Sequence, residues 1–281
     1  MLTVDQVYLT QEDIVRRNLY SRYEALALGR HKGIFDTRDL KIGKKTDLVY
    51  IAINLPGLIS RLSMDFLFEE FPTIRLPDGD EEYLKHLVYE TDLRVQLAES
   101  AFENSYRGDV FFRIRGDGEK AYVEDINPGN VKINYNRNNV RERPWSYDIF
   151  SVTDRKDGAK DLFVERYEIG KITGQYATCD AAYKILTVGE IIEVPTNIDR
   201  HLIIHIPNFR INTSPYGISD YHDVESIFEA INNRYTRIRA TLDKHSDPIL
   251  MLPEGILDDE GKVHKAGIGV IEVMKGDAPA Q

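Results

Sequence analysis

The chain has 281 residues, 42% apolar and 29% charged, a balance typical of a folded soluble protein of one large or two modest domains. No run approaches the roughly 18 consecutive apolar residues of a membrane span, and Met1-Leu2-Thr3-Val4-Asp5 lacks the basic and apolar regions of a signal peptide. A formal charge of −10 argues against gripping nucleic acid through a generally basic surface, and the single Cys179 excludes an internal disulfide or a cysteine-based zinc site, which suits a reducing cytoplasm.

Thr10 is placed to cap a helix with Glu12 and Asp13 in its first turn. Ile14, Leu19, Tyr20, Tyr23 and Leu26 supply its apolar stripe, and Gly29 is a natural stop. A short apolar run at 48–53 and a break at Asn54-Leu55-Pro56-Gly57 precede an apolar helix over 58–68. Pro77-Asp78-Gly79-Asp80 predicts a turn, followed by helices over 81–89 and 92–106. The second of these aligns Leu93, Leu97, Ala101 and Ser105 and stops at Gly108.

From Asp109 the period falls to two. Residues 110–114, a turn at Gly116-Asp117-Gly118, and 121–124 read as a hairpin. Further strands are expected at 131–135, 146–153, 162–169, 172–177, 183–188, 190–194 and 201–206. There is no repeat of solenoid spacing. The order, helices first and an antiparallel region after them, predicts an α+β fold.

Ser219 is then expected to cap a long helix over 219–245, about 40 Å at 1.5 Å per residue, ended by Asp247-Pro248. Tyr221, Val224, Phe228, Ile231, Tyr235, Ile238 and Leu242 alternate at three and four, with no Gly or Pro between them. His222, Ser226, Glu229, Asn233, Arg237 and Lys244 form the polar face. One apolar stripe usually packs within its own domain, but strict heptad spacing favours a helix packed lengthwise against neighbours, in the same chain or another. If those neighbours are other subunits, Phe228→Asp should prevent assembly. Beyond it, 249–252 and 268–273 are β-prone runs, and Asp258-Asp259-Glu260-Gly261 reads as a hairpin turn between them.

Several patterns invite chemistry and fall short. Gly43-Lys44-Lys45-Thr46 has Arg38 where a phosphate loop needs its first glycine. Arg107-Gly108-Asp109 and Arg115-Gly116-Asp117 fit a helix end and a hairpin turn, and Asn212-Thr213-Ser214 lacks a secretory context for glycosylation. His201 and His205, with Asp199 nearby, share a strand face but stand too far apart for a strong metal signal, and read as edge or surface residues. With no nucleophile elbow, HExxH or kinase signature, no enzyme, cofactor or metal is expected.

The order of segments resembles the portal proteins of tailed bacteriophages. Pro215-Tyr216-Gly217-Ile218-Ser219-Asp220 is similar to the family's Tyr-Gly-x-Ser-Asp lead-in to its first stem helix. Asp247-Pro248-Ile249-Leu250 resembles the family's exit into the clip, and Ala230-Ile231-Asn232 a recurring Ala-Leu-Asn within the helix. Asn54 to Phe71, around Asp65-Phe66-Leu67-Phe68, resembles an earlier helix. Tyr106-Arg107-Gly108-Asp109-Val110-Phe111 resembles the start of the wing hairpin, with Asp125-Ile126-Asn127-Pro128 its return.

The resemblance spans about 10–275 and implies four parts: an N-terminal helical segment over 1–56, a wing-like α+β body over 57–215, a stem helix over 216–247 and a partial β clip over 248–281. It implies a non-catalytic subunit of a ring, typically of twelve, at the portal vertex of the virion head, assembled in the bacterial host cytoplasm. Double-stranded DNA would pass through it during packaging and ejection without sequence-specific binding. Terminase, the head–tail connector and scaffold or capsid proteins would be partners, and no membrane is involved. Complete members continue through the clip, a second stem helix, a tunnel loop and a crown, so Gly276-Asp277-Ala278-Pro279-Ala280-Gln281 is expected to fall inside the clip of an engineered fragment or a truncated prophage product. The stem-stripe residues would be the packing or subunit interface. A different minor head or adaptor protein is the main alternative, and a metal-dependent enzyme of nucleic acids a more distant one.

Overall fold

A computed structural model describes residues 1–35, 49–75, 81–116, 120–246, 249–253 and 269–273, with side chains through residue 243. Two compact units emerge: Met1–Ile34 with Asn54–Glu225, and Phe35–Ile53 with Ser226–Gln281. The first thus takes in most of the expected N-terminal segment together with the wing-like body. The fold is mixed α+β.

Four helices open the first unit: α1 (Gln11–Ala27), α2 (Leu55–Phe68), α3 (Glu81–Glu90) and α4 (Leu93–Arg107). Thr10 and Asp13 form a capping box on α1: Thr10 Oγ1 accepts from Asp13 N at 3.3 Å, and Asp13 Oδ2 accepts from Thr10 N at 3.0 Å. Tyr20, Tyr23 and Leu26 are buried, whereas Leu19 of the expected stripe is exposed. The supposed break before α2 is its start. Asn54 Oδ1 accepts from Gly57 N at 3.1 Å, and Pro56 sits in the first turn, where a missing N–H leaves no bond unmade.

The antiparallel region holds β1 (Asp109–Gly116), β2 (Ala121–Ile126), β3 (Val131–Asn134), β4 (Ser146–Asp154), β5 (Lys160–Glu168), β6 (Lys171–Cys179), β7 (Ile185–Pro195), β8 (Ile203–Pro207) and the short β9 (Phe209–Arg210) and β10 (Gly217–Ile218). A five-stranded meander runs β3-β4-β5-β6-β7, and a three-stranded sheet runs β2-β1-β8. Period-two alternation buries Phe150, Leu162, Val164, Ala177, Cys179 and Ile185 beneath Leu2, Tyr8 and Leu9. A second cluster gathers Phe111, Val131, Ile133, Tyr147, Tyr167 and Ile203. The runs expected at 183–188 and 190–194 are one strand. Register shifts between Gln175 and Ala177 absorb the extra residue at Gly189, whose carbonyl accepts from Gln175 Nε2 at 3.1 Å.

In the second unit, α5 (Glu225–Ser246) is continuous over 22 residues, about 33 Å. It starts six residues later than expected. Ser219 Oγ accepts from Tyr221 N at 3.0 Å within a turn closed by His222 N→Ser219 O and Val224 N→Tyr221 O, both 3.1 Å. Ser219 therefore caps a turn and not the helix. The strands β11 (Ile249–Pro253) and β12 (Gly269–Val273) pair in parallel, Ile249 opposite Gly269. A hairpin joins only antiparallel strands, so the expected pairing of these two runs as a hairpin is corrected. The segment Asp258 to Gly261 itself lies outside the described residues, as do Gly43-Lys44-Lys45-Thr46, Pro77-Asp78-Gly79-Asp80, Asp117-Gly118, Asp247-Pro248 and the final Gly276 to Gln281.

His31, just beyond α1, is completely buried, with Nε2 3.1 Å from Leu26 O. Burial depresses its pKa below the usual 6.5, and hydrogen bonds to Leu26 and Asn54 oppose this only in part. The unfolded chain then binds the proton more readily, so stability is full above pH 6.5 and is lost as pH falls toward the folded pKa. Denaturant midpoints should fall between pH 7.5 and 5.5 by less in His31→Gln than in the parent, the two buffer values bracketing the imidazole range (about 6.5). Equal slopes would mean that His31 titrates as a solvated imidazole.

Candidate functional site

Two segments far apart in sequence meet at the end of α4. Gly108 closes that helix with φ +89°, and its carbonyl accepts from Asn208 N at 2.8 Å. A Cβ on Gly217 would stand 2.0 Å from Gly108 O, and a Cβ on Gly108 would stand 2.7 Å from Ser219 N. Only glycine at both positions lets the backbones touch.

Around that contact, the residues after Pro215 each have a partner. Tyr216 Oη accepts from Ile133 N at 2.9 Å under the Arg16 guanidinium, 3.6 Å above its ring. Burial pushes the Tyr216 phenol up to about 12. Gly217 N donates to Asp109 Oδ1 at 2.8 Å. Ser219 Oγ donates to Ser105 O at 3.2 Å, and Asp220 N donates to the same carbonyl at 2.9 Å. Asp220 Oδ2 accepts from Ser105 Oγ at 2.6 Å, and its Oδ1 from Asn208 Nδ2 at 2.7 Å.

Asp109 is the hub. It is wholly buried, and besides Gly217 N it accepts from the Tyr20 hydroxyl at 2.5 Å and from His205 Nε2 at 2.7 Å. Burial, then the Asp109 charge, drives the Tyr20 phenol well above its ordinary value, which keeps it a donor. His205 lies on the edge strand β8, one of the positions expected, but its ring is largely buried and stacks on Phe111 at 4.4 Å. His201, 3.0 Å from Pro144 O, does not share a ligand set with it. Among the described residues no three His, Cys, Asp or Glu side chains are placed to share a metal ion. Arg107, beside this hub, is buried and pairs with Glu24 at 3.0 Å and with Glu103.

A cleft of about 780 Å3 lies over Asp13, Arg16, Lys132, Arg166 and Tyr216. Three of its four lining cations are already matched, and Arg137 makes no ion pair among the described residues. Arg16 meets Asp13 at 3.1 Å, Lys132 approaches Asp13 at 3.8 Å, and Arg166 holds Asp148 at 2.8 Å.

The expected helix stripe divides. Tyr221 lies before α5, wholly buried, its hydroxyl donating to Pro56 O and lying 2.7 Å from Ser60 Oγ. Val224 also precedes the helix and is half-buried, as does the exposed His222. Phe228 is buried and Ile231 half-buried, but Tyr235, Ile238 and Leu242 are 52%, 53% and 64% exposed, with Ile227 beside them. On the expected polar face, Ser226 and Arg237 are exposed, Glu229 and Asn233 are half-buried, and the side chain of Lys244 lies outside the described residues.

The inward side of α5 carries Asn232 and Thr236, both buried. Asn232 Oδ1 accepts from Ile53 N at 2.9 Å and Thr236 Oγ1 from Ile51 N at 3.0 Å, so an extended 49–53 segment runs along it. Sequence reasoning took only the apolar residues as the packing face. Asn and Thr four apart, beside an unassigned extended run, were the available signal.

No protein-family model matches the chain, and no curated protein matches it either.

Gly217→Ala should cost about 3 kcal/mol, because its Cβ meets backbone that cannot rotate away. Urea unfolding would show a lower midpoint at unchanged slope. A midpoint equal to the parent's would mean that the two segments separate readily.

Proposed function

We propose that this chain is a subunit of a tailed-phage portal ring, a channel for DNA packaging and ejection that docks terminase and connector proteins. What carries the reading is a coincidence of resemblance and geometry. The two segments most similar to the family, around Gly108 and Gly217, bond to each other, and the chain leaves that contact into a continuous helix. The helix offers an exposed apolar stripe at Ile227, Tyr235, Ile238 and Leu242, with half-buried Ile231 along it, suited to a neighbouring subunit. The acidic balance of the whole chain, −10, also fits, since a strongly cationic channel would bind phosphates and resist translocation. The reading involves no catalytic step.

In this reading Tyr235, Ile238 and Leu242 are the interface, and Phe228, buried within its own chain, is not. Electron microscopy and native mass measurement of the purified chain should find closed rings. Ile238→Asp should reduce them to monomers while the melting temperature stays within about 2 °C, as expected for a change at an exposed position. Phe228→Asp should instead unfold the chain, at roughly 4 kcal/mol. A parent chain that stays monomeric at high concentration would overturn the proposal.

A further inference from the structure

The first unit carries a second unpartnered apolar stripe. Leu58, Leu62 and Phe66 recur every four residues on α2, and Phe66 is 84% exposed. The opposite side of α2, at Pro56, Gly57 and Ser60, is buried, so the stripe faces away from the packed side. Its C-terminal end is acidic. At 100° per residue Asp65 and Glu69 lie together on one side of Phe66, Glu70 follows, and among the described residues none of the three makes an ion pair. The last turn of α2 contains no basic residue. A helix C-terminus already bears partial negative charge, so these carboxylates call for a cation from elsewhere.

The stripe on α5 has the opposite charge. At 100° per residue, Arg234 lies to one side of Ile231, Tyr235, Ile238 and Leu242, and Arg239, which also pairs with Asp243 at 3.5 Å, to the other. We infer that the α2 stripe is the docking face for α5 of a second copy of this chain. Apolar would meet apolar, and Asp65, Glu69 and Glu70 would meet Arg234 and Arg239. Two different faces in contact make a head-to-tail interface, the type that closes into rings. The inference rests on the ring reading and names the surface that receives the helix.

A double variant, Leu62→Cys with Ile238→Cys, tests it in the full chain. Both sites are exposed, and the native Cys179 is buried. A short bis-maleimide linker should then give a ladder of covalent oligomers, while Ile238→Cys alone gives none. Asp65→Arg should lower the assembled fraction at least tenfold, and adding Arg234→Glu should restore it. Rings without a ladder, or dimers from Ile238→Cys alone, would overturn the α2 surface and leave the ring standing. Absence of any ring in the parent would overturn both.

Discussion

The buried carboxylate of Asp109 is the constraint on which the rest of the first unit depends. A charge removed from water is tolerated only when its lone pairs are answered by donors. Here the donors come from α1 through Tyr20, from β8 through His205 and from the backbone of Gly217. One side chain therefore ties the first helix, a sheet strand and the approach to α5 to the start of β1. The Gly108–Gly217 backbone contact is a consequence, since Gly217 N reaches Asp109 only if no Cβ stands between the two chains. The second similar segment is then held residue by residue, from Tyr216 to Asp220.

Beyond Phe228, helix α5 departs from the usual arrangement. A helix in a self-contained domain turns its apolar stripe inward. Here Asn232 and Thr236 face inward, where they satisfy the amides of an extended segment, and Tyr235, Ile238 and Leu242 face water. The amide bonds account for the polar choice, because a buried N–H without a partner costs about 1–3 kcal/mol. Among the described residues these three large apolar side chains stay exposed at heptad spacing, which is the feature the proposed ring reading uses.

Much of this was legible in the sequence. Local signals placed α1, α4 and most strands: the Thr10 cap, the Gly108 stop, and alternation through β4, β5 and β6. Local ambiguity produced the errors at helix starts. Asn54-Leu55-Pro56-Gly57 reads equally as a break or as a cap with proline in the first turn, and Ser219 serves a turn as readily as a helix. The hub was beyond reach for a different reason. The partners of Asp109 lie 89, 96 and 108 residues away, and nothing in one sequence marks which tyrosine, histidine or glycine will arrive there. The parallel pairing of β11 with β12 was hidden likewise, since strand direction depends on the path between them.

Charge decides what kind of assembly these faces favour. Two copies joined by α5 against α5 would set Arg234 against its own image, Arg239 being partly matched by Asp243 at 3.5 Å, and α2 against α2 would oppose the carboxylates of Asp65, Glu69 and Glu70. Like charges across an apolar contact are costly, so both two-fold arrangements are disfavoured. The mixed contact removes both repulsions at once. Its apolar gain is modest, about 5 kcal/mol for three partly exposed side chains, which is comparable with the low end of the roughly 4–15 kcal/mol that association costs. An open pair would therefore be weak. In a closed ring the final contact joins subunits already held in place and incurs no further translational cost, so marginal interfaces of this size are sufficient when they close and insufficient when they do not.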